Sequence, residues 1–334
     1  MKAFPTRRRF LGIAASVGGM ALLPPWTARA GGSDLHIWRG IALGADACLQ
    51  IHHPDPAEAD RLIRLCLDEV ERLERVFSLY RPDSALVRLN RTGELADPPL
   101  DMVRLLTEAA RFSRLTDGAF DVTVQPLWRL YAEHFARPGA DPEGPPKAAV
   151  EAVRALIDYR ALRVDDDRVS FSRRGMAATL NGIAQGYITD QVADRLRNEG
   201  MTSVLVDMGE VFGMGRHPDG RPWRVGLRDR GNDAGSAATL EVCDSALATS
   251  ASHGTNFDPI GRFGHIFDPL TGRCMDRLLS VTVTAPDATT ADALSTALVA
   301  IPVERVPALL GEMPRVAARI TRDVGRFPRY RDQG

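Results

Sequence analysis

Ser280-Val-Thr-Val-Thr-Ala-Pro-Asp-Ala-Thr-Thr-Ala-Asp-Ala-Leu-Ser-Thr296 reads as a strand that runs into a helix. The β-branched residues at 280–284 suit a pleated, half-buried surface. Residues 291–301 carry Ala, Leu and Val at helical spacing. Asp292 and Thr296 stand four apart, so a helix turns their side chains to one face. A carboxylate and a hydroxyl together are hard oxygen donors, suited to Mg²⁺ or Ca²⁺. Two such ligands leave room for water, a backbone carbonyl and a substrate phosphate. From these residues alone a second reading stays open, in which Asp292 caps its helix and Thr296 is packing.

Working outward, strands are expected at 203–207, 223–227, 239–242 and 247–250, so the C-terminal part is strand-rich with few helices. The N-terminal part is helical. Asp55-Pro56-Ala57-Glu58 sets an N-cap, Pro at the first helical position and Glu to close a capping box. Leu62, Leu65, Cys66, Val70, Leu73, Val76 and Phe77 follow at helical spacing. Further helices are expected at 102–115, 147–157 and 185–198, the last stopped by Gly200. Residues 119–124 read as a strand ended by Pro126. Residues 162–164 and 169–171 read as a hairpin, and the Pro/Gly-rich stretch 137–146 as a surface excursion. Segregated helices and strands argue an α+β fold with antiparallel or mixed sheets rather than a doubly wound one. No repeat and no strong linker divides the chain, so residues 31–334 are expected to form one domain.

The charge balance excludes one class of partner. With 42 basic and 43 acidic residues the net charge is −1, which gives nucleic acid no electrostatic hold. The first thirty residues differ from the rest. Thr6-Arg7-Arg8-Arg9-Phe10-Leu11-Gly12 leads into an Ala- and Gly-rich apolar run, and Ala28-Arg29-Ala30 offers small residues to a signal peptidase. The twin arginines followed by Phe-Leu resemble a Tat-type signal over residues 1–30; a plain secretory signal or a membrane anchor are the alternatives. Residues 1–30 carry five basic residues and no acid, so their removal leaves a charge near −6. A periplasmic protein with no membrane span in the mature chain is expected. Cys48, Cys66, Cys243 and Cys274 show no C-x-x-C spacing, which argues against zinc or a redox pair and leaves disulfides and buried thiols both open.

Two other segments carry candidate chemistry. Leu180-Asn181-Gly182-Ile183-Ala184-Gln185-Gly186-Tyr187 places small residues and open amides at a helix start, an arrangement that favours an anion. Gly264-His265-Ile266-Phe267-Asp268-Pro269-Leu270-Thr271-Gly272 holds a histidine ahead of an Asp-Pro-x-Thr-Gly turn. His265 is a candidate base or phosphate contact, with His253 as a rival. No G-x-S-x-G elbow occurs, which disfavours a serine hydrolase.

Taken in order, these pieces resemble the ApbE family of FAD:protein FMN transferases. The segments that carry the likeness are Phe77-Ser-Leu-Tyr80 with Ser84 and Leu89-Asn90; Gly118-Ala-Phe-Asp121-Val-Thr-Val; Gly182-Ile-Ala-Gln-Gly186-Tyr187 with Asp190; Ala246-Leu-Ala-Thr-Ser250; His265-Ile-Phe-Asp268-Pro; and Ala291-Asp-Ala-Leu-Ser-Thr296. The resemblance implies one T-fold-related α+β domain with FAD between its lobes. It implies Mg²⁺ held by Asp292, Thr296 and the carbonyl of Ala184, and His265 as the catalytic residue. It puts Leu43, Tyr80, Ala119, Phe120, Asp121, Thr179, Gly182 and Gln185 on the flavin donor. A partner protein's Thr or Ser would accept FMN as a phosphoester while AMP leaves. Release of FMN by water, or flavin carriage without catalysis, are the competing activities. The sequence departs from the family's Asp-Leu-Gly-Gly-Ile-Ala-Lys-Gly at Thr179, Asn181 and Gln185, and from its Gly-Gly-Asn/Asp at Met208-Gly209-Glu210. These variations, with the Tat-type signal, are similar to the NosX branch linked to nitrous-oxide respiration, whose acceptor would be a membrane-bound NosR-like flavoprotein.

Overall fold

The computed structural model describes residues 28–29, 34–228, 236–252, 255–275, 279–322 and 329–330. Most of the signal segment and His253 lie outside the described residues.

The architecture follows from one long antiparallel sheet. Its strands are β1 (Ala28–Arg29), β2 (Leu35–Ala42), β3 (Ala45–His52), then β7 (Val204–Asp207), β8 (Val211–Met214), β11 (Ser245–Ala251), β14 (Leu279–Ala285), β15 (Ala317–Arg322) and β16 (Arg329–Tyr330), lying side by side in that order. A small sheet, β4 (Glu94–Ala96), β6 (Arg168–Phe171) and β5 (Leu162–Val164), holds the expected hairpin. Two further pairs are β9 (Trp223–Arg228) with β10 (Ser236–Val242), and β12 (Phe267–Asp268) with β13 (Arg273–Cys274). The result is the α+β class that the segregation of helices and strands indicated.

The helices are α1 (Pro56–Phe77), α2 (Ala85–Thr92), α3 (Leu100–Leu115), α4 (Gln125–Phe135), α5 (Lys147–Arg154), α6 (Ala184–Asn198), α7 (Ala288–Ala300) and α8 (Val306–Gly311). The N-cap of α1 is Asp55, whose carboxylate accepts the Ala57 N–H at 2.9 Å. The capping box does not form: Glu58 pairs with Arg61, and the Asp55 N–H goes to His53. Helix α5 ends at Arg154, short of the expected 157. Residues 119–124 are not a strand. Asp121 caps a 3-10 turn over Val122–Val124, and Pro126 sits in the first turn of α4 instead of ending an element. Proline is tolerated there because the first-turn N–H has no helical partner to lose. All four cysteines are free thiols. Among the described residues no helix is long and apolar enough to cross a membrane.

Apolar residues of α1, α3, α6 and α7 share one core with the inward faces of β3, β7, β11 and β14, including Leu62, Leu73, Phe112, Ile188, Leu294, Val206 and Val281. Each fully buried Leu or Phe contributes about 1.5–3 kcal/mol relative to exposure. The opposite face of the sheet carries a smaller core, in which Leu247, Val211 and Leu205 meet Trp223 and Val242 of the β9–β10 hairpin.

Helix α7 is buried almost all round and runs beneath β11 and β14. Its N-terminus is doubly capped. Asp287 accepts the Thr290 N–H at 2.7 Å, and Asp190 of α6 accepts the Ala288 and Thr289 N–H groups at 2.7 and 2.8 Å. Carboxylates here satisfy orphan amides and face the positive end of the helix dipole. Asp292 therefore does not cap its helix; it lies one turn further in.

Candidate functional site

The first turn of α6 crosses α7 closely, and two glycines permit it. A Cβ at Gly186 would strike the Ala288 carbonyl and come within 2.8 Å of the Asp292 Cβ. A Cβ at Gly182 would lie 2.9 Å from Thr296 Oγ1. Residues 182–186 thus form a cradle that only hydrogen side chains leave open. Inside it the Gly186 N–H donates to Asp292 Oδ2 at 3.0 Å. The Thr296 hydroxyl lies 3.2 Å from that of Ser250 on β11, and Ser250 also bonds Ser295 at 2.8 Å.

This cradle opens into a cavity of about 1110 Å³. Every residue that sequence reasoning assigned to the site lines it: Leu43, Tyr80, Ala119, Phe120 and Asp121; Thr179, Gly182, Ala184 and Gln185; His265, Asp292 and Thr296. Six separate segments deliver them, so their convergence is a product of the fold. Leu43 sits in the β2–β3 turn, where its N–H donates to Glu74 of α1 at 2.8 Å. Tyr80 stands exposed on the lip. Asp121 has both oxygens engaged, one with Thr123 and one with the Tyr159 N–H, so it shapes the wall around Ala119 and Phe120. Gln185 folds its amide back over Gly209. His265 holds Nδ1 against the Thr255 backbone, 3.1 Å from its nitrogen and 3.2 Å from its oxygen. That contact fixes the ring, which lines the cavity.

The electrostatics concentrate around Asp292. Burial drives its carboxyl upward, and so does neighbouring Asp190, against the pull of the Gly186 N–H. Glu210, in the β7–β8 turn, is also raised, first by burial and then by Asp292 and Asp207. Burial pushes Asp190 and Asp207 up to about 6. No cation among the described residues offsets any of the four. A desolvated cluster of acids without a counter-charge is costly, and an oxygen-binding cation at the cradle would relieve it. The donors present fit one: the Asp292 carboxylate, the Thr296 hydroxyl and the backbone of Ala184 are all hard oxygens. Sequence reasoning missed Glu210 as part of this charge cluster, and missed Ser250 and Asp190 as its supports. Pairing across distant segments places them, and no local pattern records that.

Known proteins show the same architecture. The ApbE family model matches residues 43–320. The FAD:protein FMN transferase of Vibrio cholerae serotype O1 is 34% identical over 259 residues, covering 74% of this chain and 73% of that protein. The crystal structure of the flavin transferase ApbE from Vibrio cholerae superimposes with a TM-score of 0.77 at 29% identity, covering 89% of this chain and 97% of that one. The Pseudomonas stutzeri flavinyl transferase ApbE, in its apo form, gives 0.74 at 28% identity over 90% and 95%.

Proposed function

The chain belongs to the ApbE family, and from that premise we propose that it is a Mg²⁺-dependent FAD:protein FMN transferase acting in the periplasm. The observation that carries the reading is the convergence of the flavin-side residues, His265, Asp292 and Thr296 on one cavity. Asp292, Thr296 and the carbonyl of Ala184 would hold the ion. Bound there, Mg²⁺ would supply positive charge to the diphosphate of FAD.

The chain's own groups do the rest. Tyr80, Phe120, Leu43 and Ala119 form an aromatic and apolar wall against which planar rings can lie. Thr179 and Gln185 give this loop a hydroxyl and an amide where the family pattern has an acid and a base, so the loop holds its ligand without charge of its own. The acceptor hydroxyl oxygen forms a bond to the FMN phosphorus as the P–O bond of the anhydride breaks. AMP leaves with that electron pair. In the tautomer whose Nδ1–H donates to the Thr255 carbonyl rather than accepting the Thr255 N–H, the Nε2 of His265 would be the base that takes the hydroxyl proton.

Export through the twin-arginine route and placement in the NosX branch, with a membrane-bound NosR-like acceptor, are supported by Thr6-Arg7-Arg8-Arg9-Phe10-Leu11 and by the altered loop at 179–185. The test is direct. The protein, FAD and Mg²⁺ are incubated with a flavoprotein domain bearing an acceptor Thr, and flavin retained after denaturation is measured. Covalent flavin that requires Mg²⁺ is expected. AMP release at the same rate with and without acceptor, and no retained flavin, would replace transfer with hydrolysis.

A further inference from the structure

The residues set against the donor occupy only part of the cavity. On β11, Ser250 bonds Ser295 of α7, so position 250 faces the helices. Side chains alternate along a strand. Leu247 and Thr249 therefore face the other side of the sheet, where Leu247 packs on Trp223 and Val242. Thr249 bonds Thr282 at 2.9 Å, and Thr282 stands opposite Arg319 on β15. Yet Thr249, Thr282, Arg319 and Thr321 line the same cavity as Asp292 and Thr296. So do Val225, Gly226, Leu227 and Ala238 of the β9–β10 hairpin. The cavity passes over the end of the sheet and continues on its far face.

The register explains the opening. Pairing of β8 with β11 stops at Val211 opposite Leu247, while β11 runs on to Ala251. The notch beyond Val211 is lined by Gly209 and Glu210, beside the Asp292 cradle. The two arms differ in chemistry. The helix-side arm carries Phe77, Tyr80, Phe120 and Trp128, whereas the sheet-side lining is hydroxyls, one guanidinium and small aliphatic groups. Rings stack on aromatic side chains; hydroxyls and guanidinium suit peptide carbonyls and carboxylates. The volume, about 1110 Å³, also exceeds the roughly 300–1,000 Å³ usual for a single small ligand.

Resting on the transferase reading, we propose that the sheet-side arm is the acceptor site. It receives an extended polypeptide segment between the β9–β10 hairpin and the row Thr249, Thr282 and Thr321. The segment's Ser or Thr hydroxyl reaches the phosphate through the notch at Glu210. The donor stays on the helix side, and the bonds made and broken are those of the transfer above.

The experiment separates acceptor from donor. The full chain is mixed with FAD, Mg²⁺ and a library of unstructured peptides, each with one central Thr and either acidic or basic neighbours. FMN adducts are read by mass spectrometry and FAD affinity by quenching of flavin fluorescence. Thr282→Phe, which fills the arm, is expected to raise the acceptor KM at least about tenfold and to leave the FAD Kd within about twofold. Thr321→Phe carries the same expectation and stands in if the first variant fails to fold. A parallel loss of FAD affinity would assign the arm to the donor and overturn the proposal, as would unchanged adduct formation by the folded Phe variants. A wild-type chain that binds FAD but labels no peptide removes the transferase reading, and the acceptor site with it.

Discussion

Two groups of acids in this protein have opposite surroundings. Glu69 and Asp101 tie α1, α3 and α6 together. Glu69 accepts from Arg72 at 2.6 Å and from Arg195 at 3.0 Å; Asp101 accepts from Arg72 at 2.7 Å and from the Tyr187 hydroxyl at 2.7 Å. The Arg72 bond holds Glu69 below the usual carboxylate range. Burial pushes Asp101 up, but Arg72 and Tyr187 outweigh it and leave it lowered. Asp207, Glu210 and Asp292 of the cavity, with Asp190 at the α7 cap, are all raised, burial being the first cause in each. The first group is complete within the chain. In the second, no cation stands among the groups that shift the acids, and this difference marks the second group as the candidate site.

Removing Asp292 should give the largest effect. Asp292→Ala is expected to lower flavin transfer by about 10³-fold or more, near 4 kcal/mol of transition-state stabilisation. In chelator the same variant should melt no lower than wild type, because a desolvated acid has gone. Steady-state transfer assays and a thermal melt in EDTA check the two halves. A variant that keeps its activity would dissolve the contrast.

Breaking the complete cluster should do the reverse. Glu69→Gln leaves Arg72 and Arg195 without their shared carboxylate on a partly solvated face. Both arginines are about half exposed (side chains 44% and 48%), so the loss is expected to be about 1–2 kcal/mol, below that of a fully buried pair. Chemical denaturation measures it. Transfer by the folded fraction should be unchanged, and a fall in kcat would mean that the two clusters are coupled.

The sequence carried one half of this contrast more clearly than the other. Asp292 and Thr296 were legible because a helix repeats every 3.6 residues, which puts four-apart side chains on one face. Gly182 and Gly186 were legible as small residues at a helix start. The supports were not. Asp190 caps a helix 98 residues away, and Glu210 meets Asp292 only because β8 and β11 pair in one register. Val122-Thr-Val124 misled for a local reason: β-branched residues favour strands, but a capping Asp121 and a first-turn Pro126 wind the segment. The short helix α2, capped by Ser84, gave only two turns of periodicity and passed unseen. The far arm of the cavity needs the whole sheet to be assembled before it exists.

The smallest effect is in the pH dependence, where the two clusters should pull in opposite directions. Asp190 and Asp207 titrate near 6 in the fold against about 4 when unfolded. A raised folded value means that the stability they contribute is full below about pH 4 and is lost as pH rises through about 6. Asp292 and Glu210 act in the same sense. Glu69 and Asp101 are depressed, so their contribution is full above about pH 4 and is lost as pH falls through their lowered values. Metal-free protein should therefore be most stable in a narrow band around pH 4–5 and lose Tm toward neutrality. Mg²⁺ should restore little at pH 4.5 and most above pH 6, since only the ionised cluster binds it. Melting curves from pH 3.5 to 8, in EDTA and in Mg²⁺, resolve both limbs. Asp292→Asn should flatten the neutral limb alone and Glu69→Gln the acid limb alone. A metal-free Tm that climbs steadily to pH 8 would show that the cavity acids are balanced within the chain after all, like those between the helices.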